Sequence, residues 1–253
     1  MSLNYENQSL VFFAVDYRTD LGLRLPAAAN DLYNLVKPDD VRFHVGLNYT
    51  FQWFGKKKIF VVSHNRITSQ TIGVATWKQE SDNFISMTTS TLKKLEVTEL
   101  KRIGFKLIAF VPQTMSHAEL SDLFFGSFLA PMDEWDGVCQ KPNDPFLQLG
   151  GERNGMKFLA SLTAQTQDQI RSSIQASQNF DHFSKPQQIE PSILEFVVQA
   201  SNNPCLMLDI DLFREDGTID DVGQFGKQAL KNAEEIVRSC VAKLQSKEIA
   251  DVR

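Results

Sequence analysis

Cysteine is scarce in this 253-residue chain, and its three cysteines, Cys139, Cys205 and Cys240, stand far apart. An odd number without paired spacing argues against a disulfide framework and against a zinc knuckle, so we expect reduced and mostly buried thiols. No apolar run approaches the roughly 18 to 20 residues that cross a bilayer, and the first residues lack a basic leader with a small-residue cleavage site. The sequence therefore predicts a cytoplasmic protein with no membrane contact.

Nucleotide-binding and catalytic signatures are also missing. Neither a Walker loop nor a G-x-G-x-x-G motif occurs, and Ser63 before His64 lacks the G-x-S-x-G context of a hydrolase serine. The other histidines, His44, His117 and His182, show no metal-ligand spacing. We therefore expect no cofactor, and no catalytic residue outside the one alternative described below.

The net charge of -5 is divided unevenly along the chain. Residues 1–130 hold 14 Lys and Arg against 12 Asp and Glu, whereas residues 131–253 hold 12 against 19. Solvated surface lysines explain the few basic clusters better than a phosphate-binding stripe, so nucleic acid is not the expected partner. The minority alternative is a phosphate contact, and its residues are Lys56, Lys57, Lys58 and Arg102.

Hydrophobic periodicity in the first half predicts mainly strands. Residues 10–17 (LVFFAVDY) predict a buried strand, and residues 41–77 predict three antiparallel strands. Leucines among Lys and Glu predict an amphipathic helix over 92–102, and residues 103–112 predict a further strand that Pro112 ends.

The second half ends in a long helix. Ser116 with Glu119 three residues later is a capping-box signature, so a helix begins there. Residues 131–145 are rich in Pro, Asp and Gly and have no periodicity. Strand-like segments over 146–213 then predict an antiparallel meander, and one apolar stripe over 222–247 predicts a helix that covers a sheet.

Both halves end in an apolar strand followed by a helix, which indicates an α+β fold with two sheet-plus-helix lobes of mainly antiparallel strands. The expected organisation is an N-terminal lobe over 1–130, a linker or long loop over 131–145, and a C-terminal lobe over 146–253. The long C-terminal helix packs on the second sheet in this scheme. Packing of both lobes as one domain is the alternative.

The segment LMLDIDLF carries two carboxylates, Asp209 and Asp211, on one predicted strand. Residues two positions apart on a strand point to the same face, where two carboxylates can share a divalent metal ion. With Glu195 from a neighbouring predicted strand as third ligand, this site predicts a hydrolase or nuclease. The alternation of polar and apolar residues fits equally well a strand without a metal site, in which both aspartates face solvent and flank a buried Ile210.

Phenylalanine is abundant, with 19 Phe against 4 Tyr. Most should fill sheet–helix cores, but DLFFGSFLAP and FDHFS lie in polar or loop-rich surroundings and predict exposed aromatic surface. Exposed phenylalanines beside a loop favour a protein partner or self-association. The predicted interaction residues are Phe124, Phe125, Phe128, Phe180 and Phe183.

The segment KRIGFKLIAFVP over 101–112, together with the LMLDIDLF strand and its long helix, resembles a sporadically distributed family of uncharacterised bacterial proteins of similar length. Members typically show Arg-x-Gly-x-Arg-Tyr-Ile-Asn where this chain has RIGFKLIA over 102–109. The resemblance implies bacterial origin and an accessory gene rather than a housekeeping enzyme.

These observations favour a non-catalytic binding or assembly component of a bacterial accessory or defence-type system. The competing hypothesis is the divalent-metal hydrolase or nuclease that uses Asp209 and Asp211.

Overall fold

The computed structural model describes residues 9–18, 21, 23–36, 42–45, 50–54, 57–128, 146–166, 168–170, 172 and 204–251. Within these residues the strands are β1 Ser9–Tyr17, β2 Arg42–Val45, β3 Phe51–Phe54, β4 Lys58–Val62, β5 Arg66–Ile72, β6 Glu99–Pro112, β7 Phe146–Arg153, β8 Met156–Gln165 and β9 Cys205–Thr218. The helices are α1 Arg24–Ala27, α2 Ala29–Val36, α3 Val74–Lys94, α4 His117–Phe128 and α5 Asp221–Asp251.

The described strands form one antiparallel sheet in the order β2-β3-β4-β5-β1-β6-β9-β8-β7. Each half of the chain follows the same course, which is a first strand, a helical segment, a meander and a long helix. The last strand of each meander pairs with the first strand of its half, and these first strands, β1 and β6, pair with each other at the middle of the sheet. The fold is α+β, as the sequence predicts.

The main core lies between the helices and one face of the sheet. Alternate residues of the strands are buried there, because every second side chain of a strand points to the same face. In α3, Trp77 stacks on Phe84 with ring centroids 5.9 Å apart and meets Phe105 of β6 at 5.5 Å. Helix α5 buries Phe225, and the same stripe continues along the helix, so the C-terminal helix covers the sheet as predicted.

The opposite side of the sheet, called here the second face, carries Phe12, Lys106, Ile108 and Asp209 among its side chains. A smaller apolar cluster lies at one end of this face. It contains Leu10, Ile72, Phe110 and Cys205 from four strands, and Ile170 from the turn after β8. Thr166 and Gln169 form a capping box in that turn, which sets Ile170 against the sheet.

Two predictions about the first half are wrong. Residues 41–77 contain four strands rather than three, and the segment after Gly73 begins the 21-residue helix α3 instead of continuing as a strand. The predicted helix over 92–102 covers only the last turn of α3, because the chain turns at Leu95 and Glu96 and enters β6 at Glu99.

The two predicted lobes share the continuous sheet, since β6 of the first half pairs with β9 of the second over the length of both strands. The division into lobes therefore stays a prediction, and the proposed linker over 131–145 lies outside the described residues. Among the described helices, none has both the length and the apolar composition that crossing a bilayer requires.

Candidate functional site

Asp209 and Asp211 lie on the second face of the sheet, in the middle of β9. Ile210 between them is fully buried on the helix side, so the alternation expected from the sequence is present. Both carboxylates are partly exposed, with 27% and 31% of their side-chain surface open to solvent. The strand therefore presents two accessible carboxylates side by side.

Each of these carboxylates is bound by a cation from the neighbouring strand β6. Lys106 Nζ lies 2.8 Å from Asp209 Oδ2, and Arg102 Nη2 donates to Asp211 Oδ2 over 2.6 Å. The Arg102 guanidinium also lies over the ring of Phe213, 4.4 Å from its centroid. Arg102 is thus held by a charged and an aromatic partner at once.

The two ion pairs run diagonally across the strands. Lys106 lies directly opposite Asp211 but binds Asp209, and Arg102 binds Asp211 although Glu215 lies opposite it. Diagonal neighbours on one face are within reach of long side chains. Asp209 therefore binds the cation one same-face position along β6, whereas the longer Arg102 reaches Asp211 across two such positions, past Gly104.

Further ion pairs lie on the same face, on either side of these two. Asp16 of β1 pairs with Arg66 of β5, and Glu215 of β9 pairs with Lys157 of β8. The hydrogen bond from Lys157 lowers the pKa of the Glu215 carboxyl, with the attraction of the same charge adding to it. The second face thus carries a row of paired charges across β5, β1, β6, β9 and β8, and this row, called here the ion-pair row, links strands from both halves of the chain.

A metal ion at Asp209 and Asp211 would have to displace Lys106 and Arg102. Among the described residues no group of three His, Cys, Asp or Glu side chains is arranged to hold a metal ion. Glu195, the third predicted ligand, lies outside the described residues. The chemistry that the described geometry supports is charge pairing between strands.

Two of the cysteines are buried free thiols, as expected. Burial raises the pKa of the Cys205 thiol to about 12 and that of Cys240 to about 11, so both are protonated and unreactive at neutral pH. Cys139 lies outside the described residues.

Of the predicted phosphate contact, the residues that the structure describes do not form one site. Lys58 on β4 pairs with Glu80 of α3 at 2.9 Å, Lys57 is exposed, and Arg102 is bound to Asp211. Two strands, β5 and β1, lie between β4 and β6. Lys56 lies outside the described residues.

The predicted phenylalanine surface is corrected at Phe124. This residue is fully buried, because α4 turns it into the main core, so it is not available to a partner. Phe125 and Phe128 are half-buried, and Lys243 of α5 lies 5.3 Å from the Phe128 ring centroid. Phe180 and Phe183 lie outside the described residues.

A surface that the sequence reasoning missed is the hairpin of β7 and β8. Phe146, Leu149 and Leu159 are 55%, 45% and 41% exposed, although they are large and apolar. β7 is the last strand of the described sheet, so within that part of the chain its outer edge pairs with no strand. These three residues and the β7 edge are called here the hairpin end. The available signal was FLQLGG, an apolar run that ends two residues before the Asn-Gly hairpin turn.

The hairpin is fixed to helix α5 at its turn. Asn154 Nδ2 donates to Oδ1 of the buried Asn232 over 2.8 Å, and Arg153 pairs with Glu235. Asn154 and Gly155 adopt φ of 51° and 72°, the left-handed pair of a two-residue hairpin turn. The hairpin end is therefore held in place at the turn.

No protein-family model matches this chain, and no curated protein matches it either.

Proposed function

We propose that the protein is a non-catalytic binding or assembly component that contacts its partner through the hairpin end. The observation that carries this proposal is the exposure of Phe146, Leu149 and Leu159 around an edge strand. Exposed apolar surface beside unpaired backbone groups is typical of a surface that another chain covers.

The rigid mounting of the hairpin supports the same function. Because Asn154 and Arg153 bind α5, the edge is ordered before a partner arrives, and less conformational entropy is lost on binding. The ion-pair row supports a protein partner over a nucleic acid, since Arg102 and Lys106 are already bound by carboxylates and would have to exchange them for phosphates. We place the protein in a bacterial accessory or defence-type system, and this part of the proposal rests on the family resemblance.

The test combines light scattering with affinity capture. Size-exclusion chromatography with light scattering is run over a range of concentrations, and a host lysate is passed over the immobilised wild type and over a Phe146→Ser/Leu149→Ser/Leu159→Ser variant. We expect either a mass above the 28.6 kDa of one chain or the capture of a partner in stoichiometric amount. The triple variant should lose this self-association or this partner. A strict monomer that retains no variant-sensitive partner would contradict the proposal.

A further inference from the structure

We propose that the partner at the hairpin end is a second copy of this chain, whose β7 pairs antiparallel with the first β7 about a two-fold axis. In this arrangement Leu149 lies opposite Leu149 of the other copy. The inference rests on the proposed function and names its partner. The two sheets would join edge to edge into one continuous sheet with the helices on the same side.

The hairpin geometry decides which backbone groups of β7 bond to β8 and which point away from it, toward a second copy. Arg153 and Met156 flank the two-residue turn and form the first pair of the hairpin, so they exchange both of their backbone hydrogen bonds. Bonded and non-bonded pairs alternate in an antiparallel ladder. Gly151 and Leu149 therefore bond inward to β8, whereas the N–H and C=O groups of the alternate residues point outward.

The outward-pointing backbone groups belong to Phe146, Gln148, Gly150 and Glu152. With Leu149 opposite itself, Gln148 pairs with Gly150 of the other copy, and Phe146 pairs with Glu152 of the other copy. All four residues then form bonded pairs, on both copies. The two-fold register uses every outward N–H and C=O group between 146 and 152.

Side-chain matching disfavours the register centred on Gly150, and the register centred on Gln148 would set Glu152 opposite residue 144, outside β7. A non-bonded antiparallel pair brings its Cα atoms to about 4.5 Å, so the two exposed Leu149 side chains cover each other. Leu147 then lies opposite Gly151, beside the Phe158 ring that occupies the Cβ side of this glycine. Shifting the axis to Gly150 would instead set Leu147 against Arg153, whose guanidinium binds Glu235.

The β7 edge has few of the features that keep sheet edges apart, and its charged residues, Glu152 and Arg153, lie at the turn end of the strand. Residues 146–153 contain no proline and no lysine, and their pairing with β8 runs through every residue without a bulge. The single charged residue that points to the second face, Glu152, lies opposite Phe146 of the other copy, so no like charges meet across the axis. The edge is therefore complementary to itself.

Charge swapping at the axis tests the pairing. We expect the wild type to have twice the chain mass, and Leu149→Lys and Leu149→Glu each to raise the dissociation constant at least about tenfold, since each places like charges directly opposite. An equimolar mixture of the two variants should recover the dimer. Leu23→Lys is the matched control, because it adds the same charge at an 83% exposed leucine before α1, outside the hairpin end, and should leave the dimer intact.

Cross-linking tests the register. Leu149→Cys should form a disulfide-linked dimer under mild oxidation, since opposite Cα atoms of a non-bonded pair lie within disulfide range. Gln148→Cys, which lies opposite Gly150 rather than itself, should not exceed the wild-type background from Cys139, Cys205 and Cys240.

The outcomes separate this inference from the function that it rests on. A wild-type monomer that holds a different, hairpin-dependent protein would overturn the two-fold pairing and leave the proposed function standing. A dimer that both Leu149 charge variants leave unchanged would also overturn the pairing. Absence of both self-association and a hairpin-dependent partner would overturn the two together.

Discussion

Asn154 donates a hydrogen bond to the buried side chain of Asn232 over 2.8 Å, and this contact joins the β7–β8 turn to helix α5. The Asn232 amide also reaches Met156 Sδ at 3.5 Å. Replacing Asn232 by Leu removes both contacts and leaves the Asn154 amide without its partner. We expect the free energy of unfolding to fall by about 1–3 kcal/mol, measured by urea denaturation.

The matched control for this change is Asn83→Leu in α3. Asn83 is exposed and bonds only weakly to Glu80, over 3.4 Å. Its replacement should alter the free energy of unfolding by no more than about 0.5 kcal/mol. Equal effects of the two substitutions would show that the Asn154–Asn232 contact does not stabilise the hairpin.

Two glycines of α5 should respond in opposite directions to alanine. A Cβ at Gly226 would lie 2.7 Å from Cδ1 of Ile85 in α3, whereas a Cβ at Gly223 would meet nothing within 4 Å. Gly223→Ala should therefore gain up to about 1 kcal/mol from helix propensity. Gly226→Ala should lose about 1 kcal/mol overall, because overpacking against Ile85 exceeds that gain.

A double-mutant cycle separates the two contributions at Gly226. In an Ile85→Ala background the clashing atoms are gone, so Gly226→Ala should become stabilising by thermal or urea unfolding. A stabilising Gly226→Ala in the wild-type background would refute the close approach of α3 and α5.

The sequence predicts those elements whose signal is local. The apolar run at 10–17 corresponds to β1, the stripe over 222–247 to α5, and the Ser116–Glu119 capping box closes at 2.7 Å between the Ser116 N–H and the Glu119 carboxylate. Helix α3 escaped detection because Thr88 and Thr91 occupy buried positions of its stripe, so the apolar pattern is interrupted. Its β-branched and aromatic start after Gly73 favoured a strand instead.

The charge pairing depended on information that no local pattern contains. Alternation predicts that Asp209 and Asp211 share a face, and they do. Their partners Arg102 and Lys106 are over a hundred residues away in sequence, and the register between β6 and β9 decides which cation each carboxylate meets. A one-residue shift would have turned these cations to the other face.

Stability at low pH should depend on Asp221 at the start of α5. The Thr218 backbone N–H, donating to its carboxylate over 2.8 Å, holds the pKa of Asp221 below its usual range, with the Thr218 hydroxyl and Arg214 adding to this. A lowered folded-state pKa means that the ionised carboxylate stabilises the fold above the unfolded value of about 3.9. This contribution is lost as the pH falls through the lower folded value.

Asp221→Asn should therefore reduce the free energy of unfolding by about 0.5–1 kcal/mol at pH 7. The difference from the wild type should shrink as the pH falls below about 4, since the wild-type carboxyl then takes up its proton. Urea denaturation of both proteins at a series of pH values measures this difference in the free energy of unfolding. A difference that is constant with pH would contradict the role of the charge.

The ion pairs at Asp209 and Asp211 predict the result of a metal titration. Calorimetry with Mg²⁺ or Mn²⁺ should give the same heats for the wild type and for Asp209→Ala/Asp211→Ala, because Lys106 and Arg102 occupy the carboxylates. The double variant should lose about 0.5–2 kcal/mol of stability, as expected for two partly exposed pairs. Metal binding that only the wild type shows would favour the hydrolase or nuclease hypothesis.

Backbone amide exchange along β7, read residue by residue by NMR, tests the central claim most directly. The inward amides of Leu149 and Gly151 should be protected at every protein concentration. The outward amides of Gln148, Gly150 and Glu152 should exchange quickly in dilute protein, become protected as the concentration rises, and stay unprotected in Leu149→Lys. Outward amides that exchange quickly at every concentration would contradict pairing at this edge.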